Sequence, residues 1–317
     1  MRRCERHVMT MTMGWVLALT VMSGWCTAAQ PLRLGPYGRE PQAPAPSGPP
    51  AIIWFHAVKT NSLESLRLAL DSRLPNHVMV SHMHRRDAAW EESDEALKAI
   101  EMVRRSGARL IWCRDLWPYY KNQGIGLQSL RDPNYYVQEV RALRAEAQAM
   151  KADGVALDVE PYGHSPIKPW FKSGRGLSQR ELTAMRAAIQ AALEEVGQVE
   201  FVLPAGSLRK DHPYNLLCSL GERRISESTY YQGAGAVRPV PYPYEIFGAH
   251  VSSRKWSFAP AGRTCFLVQE LLDRSQVWSD KQGLFLYASG PDCLKVAEDL
   301  RDYAKALCQR QEVRSKR

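Results

Sequence analysis

The sequence predicts an α/β chain folded as a single (β/α)8 TIM barrel, on three observations. Short apolar or β-branched runs alternate with longer stretches of helical periodicity, the pattern of parallel strands joined by crossover helices. Eight such strand and helix units fit within residues 51–308, close to the ~250 residues that this barrel takes. No G-x-G-x-x-G follows the first strand, so the competing doubly wound sheet lacks its phosphate-binding turn.

Residues 1–29 read as an export signal: a basic start, an apolar run from Met13 to Met22, then small residues ending Thr27-Ala28-Ala29 before Gln30. The run is shorter than the ~20 residues a spanning helix needs. Trp25 just before Cys26 disfavours lipoprotein processing. Residues 30–50 end in Pro44-Ala45-Pro46-Ser47-Gly48-Pro49-Pro50 and read as an extended linker, since proline fits neither helix interiors nor central strands. Residues 309–317 form a basic tail. The mature chain is expected to be a monomer outside the cytoplasm, with no membrane contact after signal cleavage. It keeps Cys113, Cys218, Cys265, Cys293 and Cys308, an odd number with no metal or redox spacing, so buried structural thiols are expected.

The strands expected are Ala51–His56, His77–His82, Arg109–Cys113, Gly154–Glu160, Glu200–Leu203, Ile225–Tyr231, Thr264–Gln269 and Gly283–Ala288. Residues 243–256 follow a long loop with Pro243 at a first-turn position and are read as a helix. Leu63, Leu66 and Leu70 share one helical face. Ser93 precedes a helix expected to bury Leu97, Ile100 and Val103. Asp132-Pro133 supplies an N-cap and first-turn proline ahead of Val137, Val140, Leu143 and Met150. Ser178 and Glu181 make a capping box before Leu182, Met185, Ile189 and Val196, with Gly197 as the stop. Pro291-Asp292 opens a last helix carrying Cys293, Ala297, Leu300, Ala304 and Leu307.

The net charge of +9 does not imply nucleic acid. Arg2, Arg3 and Arg6 against Glu5, and Arg310, Arg314, Lys316 and Arg317 against Glu312, leave +4 for everything between. No stripe of Lys and Arg interleaved with aromatics appears, so nucleic-acid binding is not expected.

Reactive residues of such barrels lie at the C-terminal strand ends. That rule selects His56, His82, His84, Arg114, Asp115, Trp117, Asp158, Glu160, Ser207, Tyr230, Tyr231, Gln269, Glu270, Tyr287 and Ser289. The fourth strand, Asp153-Gly154-Val155-Ala156-Leu157-Asp158-Val159-Glu160-Pro161-Tyr162-Gly163, is the most informative. Alternation puts Ala156, Asp158 and Glu160 on one face and Val155, Leu157 and Val159 on the other. The apolar face should meet helices, which sends two carboxylates into the barrel. Like charges so placed raise one pKa, as a general acid near neutral pH requires. The alternative is a structural network in which Arg or His neutralises both.

This segment resembles glycoside hydrolase family 18, the chitinases and endo-β-N-acetylglucosaminidases, whose fourth strand carries D-G-x-D-x-D-x-E. Asp153, Gly154, Asp158 and Glu160 match; Ala156 stands where the family has an aspartate. The resemblance implies that Glu160 protonates the glycosidic oxygen. It implies that Asp158 orients a 2-acetamido group whose carbonyl attacks the anomeric carbon, with Tyr230 contacting the same group and Tyr231 where the family has aspartate. The family's Ser-x-Gly-Gly on the third strand is missing, and Tyr287 stands near a position often held by tryptophan. The close match covers about ten residues.

General chemistry leads to the same class, since a protonated Glu can deliver a proton to a leaving alkoxide and a second carboxylate can stabilise oxocarbenium-like charge. Trp112, Trp117, Tyr119, Tyr120, Tyr162, Trp170 and Tyr230 are candidates to stack on a carbohydrate partner. A second glycosidase reading pairs Glu160, before Pro161, with Glu270 as a nucleophile after strand seven, although Glu270 also suits a helix first turn. His82-Met83-His84 has the H-x-H spacing of a metal-dependent hydrolase, to which His56 and Asp158 could add. Loss of the inner acid at Ala156 motivates a non-catalytic sugar-binding barrel. The preferred reading needs no metal or other cofactor.

Overall fold

The computed structural model describes residues 50–58, 60–81, 94–115, 131–159, 178–204, 213–226, 245–254, 257–258, 263–273, 283–288, 290 and 292–315. Eight parallel strands close on themselves: β1 (Ala51–Ala57), β2 (His77–Ser81), β3 (Arg109–Asp115), β4 (Gly154–Val159), β5 (Val199–Pro204), β6 (Gly221–Ser226), β7 (Glu245–Ser252) and β8 (Gly283–Tyr287). Each pairs with its neighbours in chain order, and β8 returns to β1 through Ala51 opposite Gly283. The expected (β/α)8 barrel is the observed architecture.

Apart from β6, which carries Glu222, Arg223 and Arg224, most strand positions are buried on both faces, so these sequences run largely apolar. Ile53, Phe55, Met79, Ile111, Phe201, Ile225, Ile246 and Phe285 meet inside the barrel. Trp54, Val78, Val80, Leu110, Leu157, Val202, Phe247, Ala249 and Leu286 face a shell of helices.

That shell contains α1 (Leu63–Asp71), α2 (Asp94–Ser106), α3 (Pro133–Ala149), α4 (Gln179–Val196), α5 (Val268–Asp273) and α6 (Asp292–Ser315). Ser62 caps α1, its Oγ accepting from Ser65 N at 3.2 Å. Asp132 caps α3 by accepting from Asn134 N at 2.9 Å. The box on α4 is complete: Glu181 N donates to Ser178 Oγ, and Ser178 N donates to Glu181 Oε2. Gly197 ends that helix at φ 70°, where glycine has no Cβ penalty. In α2 the buried stripe is Ala96, Ala99, Ile100 and Val103, spaced as one helical face, while Leu97 lies one position off it and is 45% exposed.

The segment read as a helix at residues 243–256 contains β7 instead. A doubly buried strand has no period-2 alternation, so Ile246-Phe247-Gly248-Ala249 resembles a buried helix by pattern alone. The segment read as strand seven divides. Arg263–Thr264 forms an antiparallel ladder with Ser257–Phe258, Phe266–Leu267 adds to β7 beside Val251–Ser252, and Val268 begins α5. Strand six starts at Gly221 rather than Ile225, because the charged residues Glu222, Arg223 and Arg224 belong to it.

Charges at the N-terminal end of the barrel lock the strands together. Glu200 accepts from Arg109 Nη1 at 2.9 Å and from Arg223 Nη2 at 2.5 Å, and Arg223 lies 4.5 Å over the Phe201 ring. No helix among the described residues is long and apolar enough to cross a membrane. Among the described residues the five cysteines are free thiols; Cys113, Cys218, Cys265 and Cys293 are buried and Cys308 is exposed.

Candidate active site at the mouth of the barrel

The alternation along β4 fixes its faces. Ala156 belongs to the inner cluster, while Leu157 and Val159 join the outer one with Val155 packed against it. Asp158 therefore lies on the inward face, two residues above Ala156, and is 3% exposed. Its register partners are Asp115 on β3 and Leu203 on β5. A buried carboxylate is tolerated only with compensation by hydrogen bonds, charge or a retained proton.

The other resembling positions at the start of the strand have structural work. Asp153 N donates to Leu110 O at 2.8 Å, and Asp153 Oδ2 accepts from Leu110 N at 2.7 Å. A Cβ on Gly154 would come within 2.7 Å of Ile111 Cδ1 and closer to Glu200 Oε2, which Arg109 and Arg223 hold in place. Asp153 and Gly154 thus anchor the bottom of the barrel, where sequence constraint reflects stability.

Several residues selected by the strand-end rule face the helices instead. His56 alternates with the inward Phe55 and Ala57 and lies on the same face as Trp54. Arg114 pairs with Glu139, at 3.0 Å, and with Glu146 on α3. Burial opposes its charge, but those two carboxylates outweigh that and hold the guanidinium more firmly protonated than usual. Trp112, expected as a sugar-stacking residue, donates from Nε1 to the same Glu146 at 2.9 Å and is fully buried. A position at a strand end does not fix which face its side chain occupies, and these three occupy the outer one.

Glu270 stands in the first turn of α5, so the retaining pair loses its seventh-strand position. Gln269 lines a cleft of about 370 Å³ between α5 and α6, together with Ser253, Asp299, Tyr303 and Arg310. None of the inner-cluster residues lines that cleft. Glu160, Tyr162, Trp117, Tyr119, Tyr120, Trp170, His82, His84, Ser207, Tyr230, Tyr231 and Ser289 lie outside the described residues. Among the described residues no three His, Cys, Asp or Glu side chains gather as a metal site.

A residue missed from sequence is His250. On β7, Ile246 is in the inner cluster and Phe247, Ala249 and Val251 are in the outer one, which puts Gly248 and His250 inward. His250 is 6% exposed, and its ring meets that of Tyr287, its register partner on β8, at 5.1 Å. Reading residues 245–252 as a strand would have found it.

Burial pushes His56 and His250 down to about 4, and His77 to the same value with help from Arg109 and Arg223. All three are neutral in the native state near neutral pH, whereas unfolded histidine titrates near ~6.5. Between these values the unfolded chain binds more protons. Stability is thus complete above about pH 6.5 and falls as pH drops toward 4, by ~3 kcal/mol for His56 alone. Urea midpoints at pH 7.5 and 4.5 should show that fall; equal midpoints would mean that the rings are hydrated in the native protein.

No protein-family model matches the chain, and no curated protein matches it by sequence. Its fold is nonetheless similar to that of a chitinase from Bacteroides thetaiotaomicron, with a TM-score of 0.50 at 11% identity over 80% of this chain and 97% of that one. The two chains share one fold. A chitinase from Chromobacterium violaceum ATCC 12472 aligns over 80% of this chain and 98% of its own, at TM-score 0.47 and 14% identity. An endo-β-N-acetylglucosaminidase from Cordyceps militaris aligns over 80% and 90%, at TM-score 0.41 and 10% identity.

Proposed function

We propose that this chain is an exported, monomeric glycoside hydrolase whose catalytic domain is residues 51–308. Glu160 is the general acid and Asp158 the neighbouring carboxylate that stabilises developing positive charge. The observation that carries the reading is the Asp158 carboxylate, buried on the inward face near the C-terminal end of β4 in a closed parallel barrel. The fold shared with a chitinase supports the same class.

In the proposed reaction Glu160 gives its proton to the glycosidic oxygen as the bond to the anomeric carbon breaks. The substrate's 2-acetamido carbonyl attacks that carbon, with Asp158 orienting the acetamido group. Water then attacks the same carbon as the bond from that carbon to the acetamido oxygen breaks and the amide carbonyl is restored; the water's proton passes to Glu160, which restores the acid. Tyr230, Tyr231, Trp117, Tyr162, His82 and Glu270 are the proposed substrate contacts. No resident cofactor takes part.

The experiment is release of new reducing ends from polymers of β-linked N-acetylglucosamine. Release by the native protein is expected. Binding without release would favour a sugar-binding barrel that lost turnover with the acid missing at Ala156, and activity restored only by a divalent metal after chelation would favour a metal-dependent hydrolase.

A further inference from the structure

The floor of the barrel holds polar side chains that the catalytic reading does not use. His77, Arg109 and Arg223 each lie two residues before a member of the inner cluster, Met79, Ile111 and Ile225, so all three face inward at the N-terminal end. His77 is 8% exposed, and its ring stands edge-on to Phe201 at 6.3 Å. Both of its nitrogens are engaged. Nε2 lies 3.2 Å from Arg109 Nη1, and a guanidinium can only donate, so Nε2 is the acceptor. In a neutral ring the proton then sits on Nδ1, which donates to Asn76 Oδ1 at 2.6 Å. Asn76 extends the network to β1, its Oδ1 accepting from Ile52 N at 2.7 Å and its Nδ2 donating to Pro50 O at 3.0 Å. On the other side Arg109 donates to both Glu200 oxygens, at 2.9 and 3.1 Å, and to Asp153 O at 3.1 Å, while Glu200 also accepts from Arg223. One imidazole thus joins the two halves of a network that runs from β1 through β2, β3 and β5 to β6.

We propose that His77 is an acid-sensitive catch for the barrel floor, which opens when a proton taken at Nε2 displaces the Arg109 guanidinium. Arg109 then faces an imidazolium, and the strand starts that it ties to Glu200 and Asp153 part locally while the upper barrel stays paired. The groups around the ring set the sign. Arg109 from β3 and Arg223 from β6 are cations that oppose the proton, Asp153 before β4 favours it, and Glu200 on β5 is bound by both arginines. From β1 the register partner is the apolar Ile53. Burial is the largest cause and acts with the arginines, so the closed catch holds His77 down to about 4. In the open state the ring meets water and titrates near ~6.5. The open state therefore binds more protons between these values, and lowering the pH from 7.5 to 4.5 favours it by up to about 10²-fold.

The test is amide hydrogen exchange of the whole protein at pH 7.5 and 4.5, corrected for the intrinsic pH dependence of exchange. Leu110 N, which donates to Asp153 Oδ2 at 2.7 Å, reports the floor. The amide of Leu157, which pairs with Val202 in the middle of β4, reports the barrel wall. Acid weakens both through His56 and His250, but only the floor responds to the catch. Leu110 is therefore expected to lose about tenfold or more protection relative to Leu157 as the pH falls. His77→Gln keeps an acceptor for Arg109 and a donor for Asn76 but does not titrate, so its two amides should lose protection together. Equal loss at the two amides of the native protein overturns the inference, since acid would then act by global unfolding alone. Selective loss at Leu110 that survives His77→Gln overturns it too. If that variant does not fold, nitrogen NMR of the native ring takes its place. A proton on Nδ1 at pH 7.5, with uptake at Nε2 in step with the loss at Leu110, is expected; Nε2 protonated at pH 7.5, or uptake out of step, overturns the inference.

Discussion

Glu160→Gln is expected to lower turnover of a β-linked N-acetylglucosamine oligomer by about 10²–10⁴-fold, the usual contribution of a positioned general acid. The amide keeps the size and hydrogen-bonding reach of the acid but has no proton to give the leaving oxygen. Substrate binding should persist, so the loss falls on kcat rather than KM. The alkaline limb of the pH profile, which reports ionisation of the acid, should disappear with it. Aryl glycosides with acidic leaving groups need little protonation and should lose far less. If Glu160→Gln cleaved natural and activated substrates as fast as the native protein, the acid role would have to move to another residue. Asp158→Asn should differ in kind, since it removes charge stabilisation and should slow both substrate types by about 10²-fold or more.

The fold was largely legible in the sequence because the two physical periodicities alternate cleanly over most of it. Caps at Ser62, Asp132 and Ser178 punctuate the helices, and β-branched or apolar runs such as Ala51–Ala57 have no other stable use. What failed did so where both faces of a strand are buried. In β7 nothing alternates, and with the strand went the one inward histidine of its upper half. In β3 the faces Leu110-Trp112-Arg114 and Ile111-Cys113-Asp115 each mix apolar and charged residues, so which one looks inward is set by packing against α3 and not by pattern. On β4 the inner face could be read, because Val155, Leu157 and Val159 are apolar without exception while Asp158 interrupts the other side.

Gly283→Ala is expected to cost about 3 kcal/mol of stability, at the upper end for overpacking a closely fitted interior. Gly283 begins β8 and faces Ala51 at the start of β1, the seam where the last strand meets the first. A Cβ there would lie within 3.0 Å of Ala51 C and N and closer to its carbonyl oxygen. Backbone atoms already tied into the sheet cannot turn aside as a flexible side chain could, so the strands themselves must part. Parting them opens the barrel at its longest sequence separation, where closing the chain already costs the most entropy. The fitting control is Gly107→Ala. Gly107 has φ 80° but nothing within 4 Å of a built Cβ, so its loss should reflect backbone strain alone, about 1 kcal/mol. Urea unfolding of both variants decides the matter: a Gly283→Ala midpoint no lower than that of Gly107→Ala would mean that the seam yields without strain, and that barrel closure does not depend on the close approach of these two strands.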